Sequence, residues 1–141
     1  MIVKKGLIYL LYFVIFIFSL VIFIPKINIY YYFENQLTKY EVILSNENIK
    51  EQLTTLNIGN IEVYFKNSKV ALINKIEFNY DILSPLNIEI NIVIENEIVN
   101  GKIDLLSKRI IFENMIQADK LGTILSHLNF SYKNGVYLYE Y

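Results

Sequence analysis

Acid–base chemistry needs titratable groups held close together, and three carboxylates come nearest to supplying them: Glu95, Glu97 and Asp104. Glu95 and Glu97 alternate along one side of an extended segment, and a turn at Asn100-Gly101 sets Glu97 opposite Asp104. A sheet face wetted by solvent accounts for the same pattern without any chemistry. His127 is the only histidine and there is no cysteine, so a thiolate nucleophile, a disulfide framework and the usual zinc ligand sets are excluded. Beside an apolar helical stripe, a lone histidine reads as a surface or half-buried side chain. No glycine-rich phosphate loop, Ser-His-Asp order or HExxH helix occurs, and Asn129-Phe130-Ser131 is a bare three-residue sequon match. The expectation is a non-enzymatic chain with no catalytic residue, no cofactor and no metal.

The elements that would position these groups fall into two parts. Of 141 residues 54% are apolar, above the roughly 45–50% of an ordinary soluble domain. The excess lies in one uncharged block: Leu7, Ile8, Leu10, Leu11, Phe13, Val14, Ile15, Phe16, Ile17, Phe18, Leu20, Val21, Ile22, Phe23 and Ile24, with Tyr9, Tyr12 and Ser19 between them. As a helix this block of about 18 residues spans about 27 Å, near the roughly 30 Å hydrocarbon core of a bilayer. Lys4 and Lys5 precede it, and no small-x-small cleavage site follows, so it reads as an uncleaved signal anchor. The basic start puts the N-terminus in the cytoplasm and the rest beyond an inner membrane, single-pass. Tyr9, Tyr12 and Tyr30 to Tyr32 fit interfacial belts, and for Tyr30 to Tyr32 packing within a juxtamembrane helix fits equally well. The expected division is residues 1–25, a cytoplasmic tail and transmembrane anchor, and residues 26–141, a periplasmic sheet domain. After Pro25, 11 Lys and Arg stand against 14 Asp and Glu, which gives no footing for nucleic acid.

Within residues 26–141, Tyr30, Phe33, Leu37 and Tyr40 share a helical face, predicting a helix over 29–39 with Asn28 as its cap. The period then drops to two. Val42 to Leu44 is a short apolar run, and 45–48 is turn chemistry. Leu56 and Ile58 alternate on even positions, Ile61, Val63 and Phe65 on odd ones. Gly59-Asn60 is then either a two-residue hairpin or a bulge in one strand that continues. Val70, Leu72, Ile76, Phe78, Tyr80 and Ile82 share a face until Ser84 and Pro85 close the strand, and Leu86, Ile88, Ile90, Ile92 and Ile94 alternate with Asn87, Glu89, Asn91, Val93 and Glu95. Residues 109–113 read as a strand. Leu121, Ile124, Leu125 and Leu128, with Asp119 near the start, read as a late helix, and Asn134-Gly135 closes a final hairpin. The fold class expected is mainly β: a transmembrane helix, then a curved antiparallel meander of six to eight strands packed by one or two short helices.

Several segments in order resemble the type II secretion system protein N family: Asn28-Ile29-Tyr30-Tyr31-Tyr32-Phe33-Glu34, Glu41-Val42-Ile43-Leu44-Ser45, Ile61-Glu62-Val63-Tyr64-Phe65 with Lys69-Val70-Ala71, Gly101-Lys102-Ile103-Asp104-Leu105 with Lys108-Arg109, and Gly135-Val136-Tyr137-Leu138-Tyr139-Glu140-Tyr141. The resemblance implies an inner-membrane protein with one N-terminal span and a periplasmic β-rich domain. Such a protein is accessory to an export machine or a related pilus or DNA-uptake apparatus, and no catalytic residue is carried over. The partners expected are the lipid bilayer, through the N-terminal helix, and other envelope or secretion proteins. In the alternative, Val70, Leu72, Ile76, Leu86, Ile88, Ile90, Ile92 and Ile94 line a groove that carries a lipid chain instead of forming a core face.

Overall fold

The computed structural model describes residues 2–23, 25–113 and 125–140. Two helices come first, α1 (Ile2–Phe23) and α2 (Lys26–Thr38). Nine strands follow: β1 (Val42–Ser45), β2 (Asn48–Glu51), β3 (Thr55–Phe65), β4 (Ser68–Tyr80), β5 (Asn87–Ile94), β6 (Glu97–Asp104), β7 (Arg109–Glu113), β8 (Ser131–Lys133) and β9 (Val136–Glu140). They form one antiparallel sheet in the order β1-β3-β4-β5-β6-β7-β9-β8, with β2 also on β3. The mainly antiparallel expectation stands, with nine described strands in place of six to eight.

The membrane expectation is corrected. Among the described residues no helix is long and apolar enough to cross a membrane. A transmembrane signal anchor in a single-pass inner-membrane protein is therefore not supported, and Ile24 lies outside the described residues. The Val21 side chain does too. α1 itself is regular, and the hydroxyl of Ser19 within its apolar run is satisfied internally, Ser19 Oγ donating to the Ile15 carbonyl at 2.8 Å.

Side-chain alternation makes one sheet face dry. Leu56, Ile58, Ile61, Ile88 and Ile103 are fully buried, each stabilising the fold by about 1.5–3 kcal/mol relative to exposure. The cover is α2, through Tyr30, Phe33 and Leu37, together with Leu125 and Leu128; residues 125–127 are helical. Asp119, Leu121 and Ile124, placed in the same late helix by periodicity, lie outside the described residues. α2 begins three residues earlier than its apolar spacing implies. Pro25, with no side-chain bond, holds the cap position assigned to Asn28, and Glu51 Oε1 of β2 accepts the Lys26 backbone N–H at 3.2 Å. Tyr30 belongs to the core and not to an interfacial belt, being 4% exposed.

Of the two readings of Gly59-Asn60 the continuing strand holds, and one other turn assignment changes. β3 runs straight through Gly59-Asn60, with Asn60 at φ 57° and β4 switching faces in parallel, Ile73 and Ile76 both pointing inward. Asn100-Gly101 lies inside β6, where Gly101 pairs with Ile90 and Phe112. A Cβ there would sit 2.6 Å from Phe112 Cδ1, so the residue is glycine to admit that ring. The β5–β6 hairpin instead turns at Glu95-Asn96, between the paired Ile94 and Glu97. Asn134-Gly135 does form the two-residue turn between Lys133 and Val136, at φ 54° and 81°.

Candidate interaction surface

The carboxylates that invited acid–base chemistry are not brought together. Glu97 and Asp104 stand at opposite ends of β6, about 23 Å apart along the strand. Glu95 is a turn residue at φ 53°. Asp104 is occupied in its own loop, Oδ1 accepting the N–H groups of Leu106 at 3.0 Å and Ser107 at 3.1 Å. His127 is exposed, its ring 5.2 Å from Phe65. Among the described residues no three His, Cys, Asp or Glu side chains are grouped to hold a metal. Asn129 of the sequon is exposed and sits in a turn.

The eight residues expected as groove or core divide three ways. Ile76, Ile88 and Ile90 are buried in one cluster with Tyr30 and Leu128, and Val70, Ile92 and Ile94 are half-buried against it. Leu72 and Leu86 are exposed, at 46% and 48%. Leu72 breaks from the even-numbered set because β4 changes face between Ile73 and Ile76.

Two polar constellations went unnoticed in the sequence because they depend on tertiary placement. The first joins α2 to the sheet edge. Tyr30 donates its hydroxyl to Glu47 Oε1 at 3.2 Å, and burial, then the charges of Glu47 and Glu34, push that phenol far above its ordinary range. Burial and Glu47 likewise raise the Glu34 carboxyl. The second lies where α1 meets α2. Lys26 is 3% exposed, its Nζ 3.5 Å from the Ile22 carbonyl and 5.6 Å above the Tyr80 ring. The ammonium thus caps the carbonyl end of α1 and stacks on an aromatic face. Burial first, then Glu51, pushes the Tyr80 phenol up to about 12.

On the wet face an open cleft of about 430 Å³ is lined by Thr54, Thr55, Asn79, Tyr80, Asp81, Ser84, Asn87, Glu89 and Lys102. Several of these groups already serve local turns, Asp81 Oδ1 accepting from Leu83 N–H at 2.9 Å and Asn87 Nδ2 donating to Ser84 Oγ at 2.7 Å. The wet face further along is closed by surface ion pairs, Lys69 to Glu62 at 2.5 Å and Lys75 to Glu77.

The surface that the fold leaves uncovered is α1. Every described side chain from Lys5 to Phe18 is exposed, among them Leu7, Tyr9, Phe13 and Phe16 around the whole helix circumference. Fold and surface together define a class: a one-sided antiparallel sheet domain with its core covered by a helix, preceded by an apolar helix whose described side chains from Lys5 to Phe18 are exposed. No family model, curated protein or solved structure matches the chain.

Proposed function

We propose that the chain is a non-enzymatic assembly module held at a lipid bilayer by α1. The observation that carries this is the exposure of α1 on all sides. A protein groove buries one stripe of a helix, whereas a helix apolar all round is matched by hydrocarbon. The reading asks for insertion of α1 into the bilayer and places no demand on crossing it. The sheet then serves as a rigid platform. Its strand β8, exposed at all three residues and paired with β9 alone among the described strands, is the edge for strand addition by another protein of a secretion, pilus or DNA-uptake apparatus, as the resemblance implies. An acyl-carrying groove finds less support, because the central isoleucines Ile76, Ile88 and Ile90 share a buried cluster with Tyr30 and Leu128.

Flotation of the full chain with phosphatidylcholine vesicles, reconstituted from detergent, tests this. The wild-type protein is expected to float. Phe13→Lys/Phe16→Lys is expected to stay at the bottom of the gradient, since each charge placed in hydrocarbon costs about 2.5–3.5 kcal/mol. A wild-type chain that stays out of the lipid fraction, or a variant that floats equally well, overturns the reading.

A further inference from the structure

The chain leaves β4 and β6 through nearly the same four residues, Asp81-Ile82-Leu83-Ser84 directly after β4 and Asp104-Leu105-Leu106-Ser107 from the last residue of β6. In both, the aspartate Oδ1 accepts the N–H two residues on, at 2.9 Å for Leu83 and 3.0 Å for Leu106. An Asx turn of this kind uses the polar side chain inward, on the backbone, and leaves the leucine at the tip. Leu83 is 86% exposed and Leu106 80%.

Strand register puts both loops at one end of the sheet. Tyr80 pairs with Ile88, Asn87 with Asp104, and Asp104 with Arg109, and the Leu105 N–H donates to the Leu86 carbonyl at 2.9 Å, joining the two loops. The loop between β2 and β3, carrying exposed Leu53, is tied to the same end by the Tyr80 N–H on the Thr54 carbonyl at 2.8 Å. Here too α1 gives way to α2, since Lys26 reaches Glu51 through its backbone N–H and Tyr80 through its ammonium. Three neighbouring loops thus present bare leucines beside the point where the apolar helix leaves. A single exposed leucine needs no explanation, whereas a set gathered at one end marks a contact surface.

We propose that this leucine-tipped end is a second lipid-contacting surface, seated in the bilayer that takes up α1. The inference rests on the bilayer reading of α1, and its continuity with that helix selects lipid over a protein partner. Charge plays little part, because Lys102, Lys108 and Arg109 are offset by Asp81, Glu89 and Asp104 around the tips. The ligand is therefore bilayer hydrocarbon and not an anionic headgroup, and neutral vesicles suffice.

The chain contains no cysteine, so single-cysteine labelling of the full protein is clean. Leu83→Cys, Leu106→Cys, Phe16→Cys and Asn67→Cys, each carrying an environment-sensitive fluorophore, are reconstituted in phosphatidylcholine vesicles with and without brominated acyl chains. Circular dichroism confirms that each variant is folded. Probes at 83, 106 and 16 are expected to be blue-shifted and quenched by bromine, and the probe at 67, at the far end of the sheet, to stay water-like. Water-like probes at 83 and 106 with a quenched probe at 16 overturn this inference and leave the α1 reading standing. Water-like probes at all four positions overturn both. A blue shift that appears without vesicles and grows with protein concentration overturns the inference in favour of self-association. In a Leu83→Ser/Leu106→Ser background, seating of the end is expected to fall about tenfold per leucine removed. That fall is read as lost quenching of a Leu53→Cys probe while Phe16→Cys stays quenched, and an unchanged signal at 53 counts against the proposal.

Discussion

The two ends of the sheet are closed by different turn chemistry. At one end the hairpins are two-residue turns, Lys66-Asn67, Glu95-Asn96 and Asn134-Gly135, in which left-handed backbone angles do the work, at φ 50° and 64°, 53°, and 54° and 81°. Such turns suit the right-handed twist of the flanking strands and leave polar side chains at the tip. At the other end the loops are longer, 52–54, 81–86 and 105–108. Two of them are shaped by an aspartate side chain accepting backbone N–H groups, and leucines stand at their tips. Among the described residues near the first end, the exposed aliphatic side chains Ile43 and Ile98 lie on strands and not in these turns. A tight hairpin has no spare residues to present, so the end built from longer loops is the one on which a surface can be displayed.

The sharpest way to break this contrast uses one residue type in two roles. Leu56 is fully buried and stands three positions from Leu53, which is 62% exposed. Leu56→Ala is expected to cost about 2–5 kcal/mol, the cost of a core leucine and its cavity. Leu53→Ser, Leu83→Ser and Leu106→Ser are each expected to stay within about 0.5 kcal/mol of the wild type. Urea denaturation measures both. A tip leucine whose loss destabilised the fold as much as Leu56 would belong to the core, and the leucine end would cease to be a surface.

At the hairpin end the expected effect is smaller and purely backbone in origin. Gly135 has φ +81° and open space where a side chain would stand. Gly135→Ala therefore meets no clash, and the left-handed angle alone is expected to cost about 1–2 kcal/mol. A neutral substitution, seen as an unchanged denaturation midpoint, would mean that the turn relaxes and that φ does not set this end.

Both ends were partly legible before any coordinates, and the reasons they were not wholly so are physical. The strict alternation from Leu86 to Ile94 marks β5, because one wet and one dry face leave few other arrangements. Asn134-Gly135 reads correctly because both residues tolerate left-handed angles and little else competes for them. The same dipeptide at Asn100-Gly101 misleads: Gly101 serves the Phe112 ring on a neighbouring strand, a long-range requirement that local turn propensity does not contain. The Glu97 and Asp104 pairing failed with it, since moving the turn to Glu95-Asn96 sends those carboxylates to opposite ends of β6. The two Asp-x-Leu-Ser segments are visible in the chain, but they lie 23 positions apart. Only the register of β4, β5 and β6 shows that they share an end.

The smallest predicted effect separates the ends by pH. The Asp104 carboxyl is held below its ordinary range by the Ser107 hydroxyl first, then by the Ser107 and Leu106 backbone N–H groups. A carboxyl whose pKa is depressed in the folded state stabilises that state above its unfolded value, near 4, and the contribution disappears as pH falls through the folded value. The loop bearing Leu106 is therefore expected to be ordered at neutral pH and to loosen in acid below about pH 4. The Asn134-Gly135 turn rests on backbone angles and carries no such group, so its protection should not follow pH. Amide hydrogen exchange at Leu106, Ser107 and Gly135, corrected for intrinsic rates, reads this out. Asp104→Asn keeps an oxygen for the two N–H groups and removes the titrating carboxyl, so it should flatten the acid response at Leu106 while leaving the turn formed. If Leu106 stays equally protected through that range, the carboxylate does not shape the loop. If Gly135 loosens in step with Leu106, the acid response belongs to the whole sheet and does not distinguish its ends.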